Sequence, residues 1–226
     1  MDSTANSELQ PRTFLQPIAA PSILGLYGFA GATLIVAAEL AGWYGDSQTA
    51  LYLAPFAAAF GGIAQFAAGM WAYKVRDAIA TAMHGMWGSF WIGYGILHLL
   101  FATGALTSPS GAFPALGFWF IALAWITIMG AIAATAENMA LTAVLGTLAL
   151  GSVLAAIAEL LGSTGWTVAA GWVFIISAVC AWYTASALMF EGVSGRAVLP
   201  VGKTRKAQQA PEVNHGVGEP VIAKGQ

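Results

Sequence analysis

Phe113-Pro-Ala-Leu-Gly-Phe-Trp-Phe-Ile-Ala-Leu-Ala-Trp-Ile-Thr-Ile-Met-Gly-Ala-Ile-Ala-Ala-Thr135 runs for 23 residues without a charge. As a helix rising 1.5 Å per residue it is roughly 34 Å long, enough to cross a hydrocarbon core of about 30 Å. Five other stretches read the same way, at 22–43, 51–73, 79–102, 140–161 and 166–190. The breaks between them carry turn chemistry: Gly45-Asp-Ser47, Lys74 to Asp77, Thr107-Ser-Pro-Ser-Gly111, Glu137-Asn138 and Gly162-Ser-Thr-Gly165. The pattern predicts an all-α integral membrane protein of six transmembrane helices, arranged as three helical hairpins.

Composition agrees. Hydrophobic residues make up 58% of the chain and charged ones 8%, against roughly 25% charged in an ordinary soluble domain. A net charge of -2, with no basic block interleaved with aromatics, argues against nucleic acid as a partner. Cys180 is the single cysteine; it excludes an internal disulfide and reads as a packed, inert thiol. No nucleophile–base set and no Gly-x-x-x-x-Gly-Lys-[Ser/Thr] loop occurs, so neither an enzyme nor a transporter driven by its own ATP hydrolysis is expected, and no cofactor.

Arg12, Lys74, Arg76, Arg196, Lys203, Arg205, Lys206 and Lys224 all fall on one side of the predicted topology. The positive-inside bias therefore puts both termini in the cytoplasm and the chain in the plasma membrane, the inner membrane in a bacterium. Residues 1–20 read as a polar cytoplasmic segment without a cleaved signal peptide, 21–202 as the transmembrane domain, and 203–226 as a disordered tail. Small residues at Ala57, Gly61, Ala64 and Ala68 let helices approach closely, in a tight bundle or an oligomer.

Three ionisable side chains interrupt the apolar runs: Glu39, His98 and Glu159. A carboxylate at mid-membrane costs on the order of 2.5–3.5 kcal/mol, so such groups face a bundle interior or a wet cavity. All three end odd-numbered spans and so lie at a similar depth in the outer leaflet. Three readings stay open: snorkelling or helix capping, a proton- or cation-holding vestibule at the mouth of a path, and a two-carboxylate, one-imidazole metal site. His84, at the cytoplasmic start of span three, reads as an interfacial residue.

Several motifs resemble a known family. They are Leu24-Gly25-Leu26-x-Gly28-Phe29, Gly61-Gly62-Ile63-Ala64-Gln65-x-x-Ala68-Gly69-Met70 with Tyr73-Lys74 and Gly88-Ser89-Phe90-Trp91, and Gly195-Arg196-x-Val198-Leu199-Pro200-x-Gly202 preceded by Ala170-Gly171-Trp172 and Tyr183. Over residues 20–202 the chain is similar to the acetate/succinate transporter family (Gpr1/Fun34/YaaH, succinate-acetate permease-like). The resemblance implies a six-helix protomer in a homo-hexamer, each protomer carrying small monocarboxylates with protons. It places the hydrophobic constriction at Phe29, Trp87 and Leu148, and the substrate path beside Leu24, Gly25 and Gln65. The chain departs from the family pattern where Trp87 replaces the usual Tyr, Ala72 a common Glu, and Ala37 and Glu159 an Asn. A carboxylate at the mouth of an acetate path is unhelpful unless it carries a proton. An ammonium or other cation pathway, and a non-transporting accessory protein with an ion or metal at Glu39, His98 and Glu159, are therefore the alternatives.

Overall fold

The computed structural model describes residues 18–204. Most of the N-terminal segment and of the expected disordered tail lies outside these residues, as do Arg12, Arg205, Lys206 and Lys224. The elements are α1 (Pro21–Leu40), α2 (Thr49–Ala57), a π-helical stretch (Ala58–Ala64), α3 (Gln65–Val75), α4 (Ala78–Ala102), α5 (Pro114–Ala134), α6 (Met139–Leu161) and α7 (Thr164–Ser194). No strand is present among the described residues; Asn138 and Lys203 form an isolated bridge. With α2, the π stretch and α3 counted as one rod, this is the expected six-helix membrane bundle.

Local chemistry sets the ends. Pro21 and Pro114 sit in the first turns of α1 and α5, where a missing N–H costs nothing. Asp77 accepts from the Ala80 N–H at 2.8 Å and Asn138 from the Leu141 N–H at 2.8 Å, capping α4 and α6. Gly162 and Gly195 close α6 and α7 in the left-handed region, at φ 60° and 66°.

Five helices are long and apolar enough to cross a membrane by length and composition alone. The exception is α4, whose 25 residues would span but include His84, Trp87, Trp91, Tyr94 and His98 at alternating steps of three and four. That spacing puts all five on one face. The two histidines and the tyrosine on that face set α4 apart from the other spans.

Helix α1 packs against α7 and span two, α3 against α4, and α6 against α5 and α7. The outer faces stay apolar: Phe118, Trp125 and Ile63 are each about two-thirds exposed, a surface that lipid or a second protomer must cover. At the end opposite the α1–α2 loop, the segment after α7 folds back onto the α5–α6 turn. Met139 and Ala140 N–H groups donate to the Gly202 and Val201 carbonyls, and Lys203 pairs with Glu191 at 2.8 Å. Lys74, Arg76, Arg196 and Lys203 thus gather at one end of the bundle.

The π stretch is not readable from hydropathy. Pro55 lies inside α2 and removes an N–H from the ladder; beyond it the helix widens for seven residues. The widened turn leans the Phe60 carbonyl toward α1 so closely that a Cβ on Gly28 would lie 2.4 Å from that oxygen. Since the obstacle is backbone, Gly28→Ala has to push α1 and the π stretch apart. We expect a loss of about 1–3 kcal/mol, read as a lower thermal midpoint of the purified protein in detergent.

Candidate functional site

A cavity of about 340 Å³ opens between the helices at the end away from the basic cluster. Its lining stops at Thr33 on α1, Trp87 on α4, Phe120 on α5, Leu148 on α6 and Phe174 on α7. Helices α1, α4 and α6 run inward-to-outward in this frame, while α5 and α7 run the other way. The limits on all five therefore mark one level, and that level is the floor.

Trp87 and Leu148 are each 2% exposed. Phe29, also 2% exposed, lies one turn below Thr33 and meets Trp87 edge-on, ring centroids 6.3 Å apart and planes at 71°. Trp87 is held in place: its indole N–H donates to Thr127 Oγ1 at 2.9 Å, and the Thr127 hydroxyl donates to the Leu123 carbonyl at 2.7 Å. Thr127 is fully buried. Three large apolar groups thus close the floor, and one has its polar atom tied to the neighbouring helix. An aperture of this kind dewets, stalling hydrated ions while a small, largely apolar solute can pass.

The mouth is polar. Glu39, His98 and Glu159 all line it, with Ser108, Pro109 and Gly111 of the α4–α5 loop across the opening. The loop is pinned where the Phe113 N–H donates to the Glu159 carbonyl at 2.7 Å. His98 Nδ1 lies 2.9 Å from the Tyr94 carbonyl. A carbonyl only accepts, so the Nδ1 position carries the hydrogen, and in the neutral ring Nε2 is the acceptor. The ring stacks tilted on Tyr94 at 4.0 Å. In the α1–α2 loop, burial first, and then the nearby Glu39 carboxyl, raise the Tyr44 phenol above its ordinary range.

Other residues implied by the motifs fall differently. Gln65 is 2% exposed, and its Oε1 has no partner. Gly25 lies directly under the His84 ring; a Cβ there would be 2.5 Å from it. Neither reaches the cavity wall. Leu24 is 49% exposed and also lies off that wall, because its position on α1 points away from the face shared by Phe29 and Thr33. His84 corrects the interfacial expectation. It is 5% exposed, with Nε2 3.4 Å from Ser22 Oγ and Nδ1 unpartnered, because Gly25 leaves room for the ring inside the bundle. Among the described residues, no three His, Cys, Asp or Glu side chains lie close enough to hold a metal ion. The trio rings the mouth of the cavity without closing to a ligand set.

Spacing alone did not single out Thr33, Trp91 or Thr127. The heptad-like run from His84 to His98 is the signal that finds Trp91, the floor of the cavity finds Thr33, and the bond to Trp87 finds Thr127.

Six spanning helices around an apolar cavity with an ionisable mouth define a multi-pass protein of the membrane transporter and channel class. The chain belongs to the GPR1/FUN34/yaaH family, whose model matches residues 2–203. It is 28% identical over 192 residues to the succinate-acetate/proton symporter SatP of Escherichia coli K12, covering 83% of this chain and 97% of that one. It is also 28% identical over 188 residues to ammonia transport outward protein 2 of Saccharomyces cerevisiae, covering 81% and 66%. Its fold is similar to the solved structure of the bacterial acetate channel SatP, with a TM-score of 0.74 and 27% identity over 82% of this chain and 99% of that one.

Proposed function

We propose that this protein moves small monocarboxylates, acetate foremost and succinate as a larger relative, across the plasma membrane together with protons. The observation that carries the reading is the cavity whose floor is Trp87 and Leu148, backed by Phe29, and whose mouth holds two carboxyls and an imidazole. Both SatP proteins are named for acetate, and the symporter also for succinate and protons. A carboxylate sheds its charge by taking up a proton, and the neutral acid then crosses an apolar aperture without the penalty of an unpaired buried charge. Glu39, Glu159 and the free Nε2 of His98 are the groups placed to hold that proton at the mouth.

The basic residues gathered at the far end support a cytoplasmic location for both termini. The exposed aromatics of α5 and of span two support assembly into a homo-oligomer, a hexamer by the family resemblance, with one path in each protomer. Purified protein in proteoliposomes with acidic outside medium is expected to take up radiolabelled acetate saturably and faster than empty vesicles. Equal rates in the two would sink the reading.

A second reading has its own observation. Glu39 and Glu159 would draw a cation to the mouth, and the yeast relative is named for ammonia transport. Ammonium-dependent flux in the same vesicles, lost in Glu39→Gln and unaccompanied by acetate uptake, would establish that reading.

A further inference from the structure

We infer that the α3–α4 turn is a headgroup site for an anionic phospholipid, with the Arg76 guanidinium and the Lys74 ammonium holding the lipid phosphate. This turn lies off the cavity wall, and nothing in the transport reading depends on it.

The mark of the site is a residue in a costly backbone conformation. Helix α3 ends in a full Schellman turn: the Asp77 N–H donates to the Ala72 carbonyl at 3.1 Å, and the Arg76 N–H to the Tyr73 carbonyl at 3.3 Å. Such a turn needs a left-handed residue, and here it is Arg76, at φ 58° and ψ 31°. Helices α6 and α7 close in the same conformation on Gly162 and Gly195, the residue type that adopts it without strain. Among the described residues Arg76 is the one non-glycine with a positive φ. Glycine would close α3 with less strain, so the guanidinium serves something other than the fold.

Both cations are open to a ligand. Arg76 and Lys74 are exposed, and among the described residues no carboxylate pairs with either. The neighbouring Asp77 turns its carboxylate to the Ala80 N–H, capping α4. Lys74 is steadied on the outer face of α3, its ammonium 4.7 Å from the centroid of the Trp71 ring. Trp71 and Tyr73 are themselves exposed, amphipathic rings of the kind that settle at headgroup level.

The chemistry selects the ligand. A guanidinium matches a phosphate with two parallel N–H donors, and an ammonium adds a point charge beside it. The aromatic pair sets both cations where lipid phosphates lie. The basic residues gathered at this end assign it to the cytoplasmic leaflet, which carries the anionic lipids. Each basic residue near such a surface strengthens binding by about fivefold.

The test is the thermal midpoint of the purified protein in dodecyl maltoside, titrated with dioleoylphosphatidylglycerol, dioleoylphosphatidylcholine or inorganic phosphate. Phosphatidylglycerol alone is expected to raise the wild-type midpoint, saturably. Arg76→Gly should begin about 2–4 °C above the wild type in detergent, because the strain is gone, yet need roughly fivefold more phosphatidylglycerol for half its rise. Lys74→Gln should need a similar excess without the higher start. Arg196→Gln, at the same end but outside the turn, should titrate like the wild type. A wild-type response in the Lys74→Gln/Arg76→Gly double variant would overturn the site, as would a wild type indifferent to phosphatidylglycerol. Equal weakening in Arg196→Gln would replace it with diffuse surface charge, and a rise with phosphate alone would replace the lipid with a soluble anion.

Discussion

Replacing Trp87 with Ala should open the path: acetate uptake into proteoliposomes rises by about tenfold, equivalent to roughly 1.4 kcal/mol off the barrier, and acids too bulky for the wild type begin to cross. The reason is geometric. Trp87 supplies the largest side chain at the floor, and Phe29 and Leu148 do not fill the space it vacates. Fixed by its bond to Thr127, the indole does not swing aside readily, so its bulk limits the aperture most of the time. Truncation also costs stability, on the order of 3–5 kcal/mol for a buried Trp. Trp87→Tyr is the milder companion, keeping an aromatic ring and exchanging the indole N–H that bonds Thr127 for a hydroxyl within a smaller volume, and should raise flux by a lesser factor with a smaller loss of thermal midpoint. Uptake that falls in both folded variants would place the aperture elsewhere.

The second large effect concerns charge at the mouth. Glu39→Gln with Glu159→Gln should raise acetate uptake at pH 7 by roughly fivefold and change it little at pH 5. Two unit charges a few ångströms from an arriving anion each oppose it by about 1 kcal/mol in a water-like dielectric, and salt screening trims that sum. As the pH falls, carboxyls take up protons and the repulsion fades in the wild type too, so the two curves converge. The double variant also separates the two transport readings: methylammonium flux, if present, should drop in the same vesicles. Acetate uptake that falls at every pH would mean that the protons these carboxyls hold for the transport step matter more than their repulsion of the anion, and the predicted gain would be wrong.

Much of this was legible before any coordinates. A charge-free run such as 113–135 has one stable home, and the bundle's helix ends fall within about four residues of the hydropathy boundaries. Glu39, His98 and Glu159 stood out because charge in lipid is costly, and the structure brings them to one opening. The missed features share a cause: each depends on what a neighbouring helix does. The π stretch follows Pro55, but its close approach to α1 depends on Gly28 lying beside the Phe60 carbonyl, which hydropathy does not record. His84 read as interfacial from its place near a helix start, yet it is buried because Gly25 lacks a side chain. Leu24 shares a motif with Gly25, but a helix turns 100° between neighbours, and Leu24 ends on the outer surface.

If solute passes through the cavity bounded by α1, α4 and α6, a plug inside it must stop transport. Ala155 lines it on α6, about two turns above Leu148, and the native thiol of Cys180 lies elsewhere on α7. In a Cys180→Ser background, Ala155→Cys should transport acetate until a sulfonate-bearing thiol reagent attaches. Protein shown by mass to be fully modified should then lose most of its uptake, and acetate present during the reaction should slow the attachment. Fully modified protein that transports at the unmodified rate would contradict the claim and move the path out of this cavity.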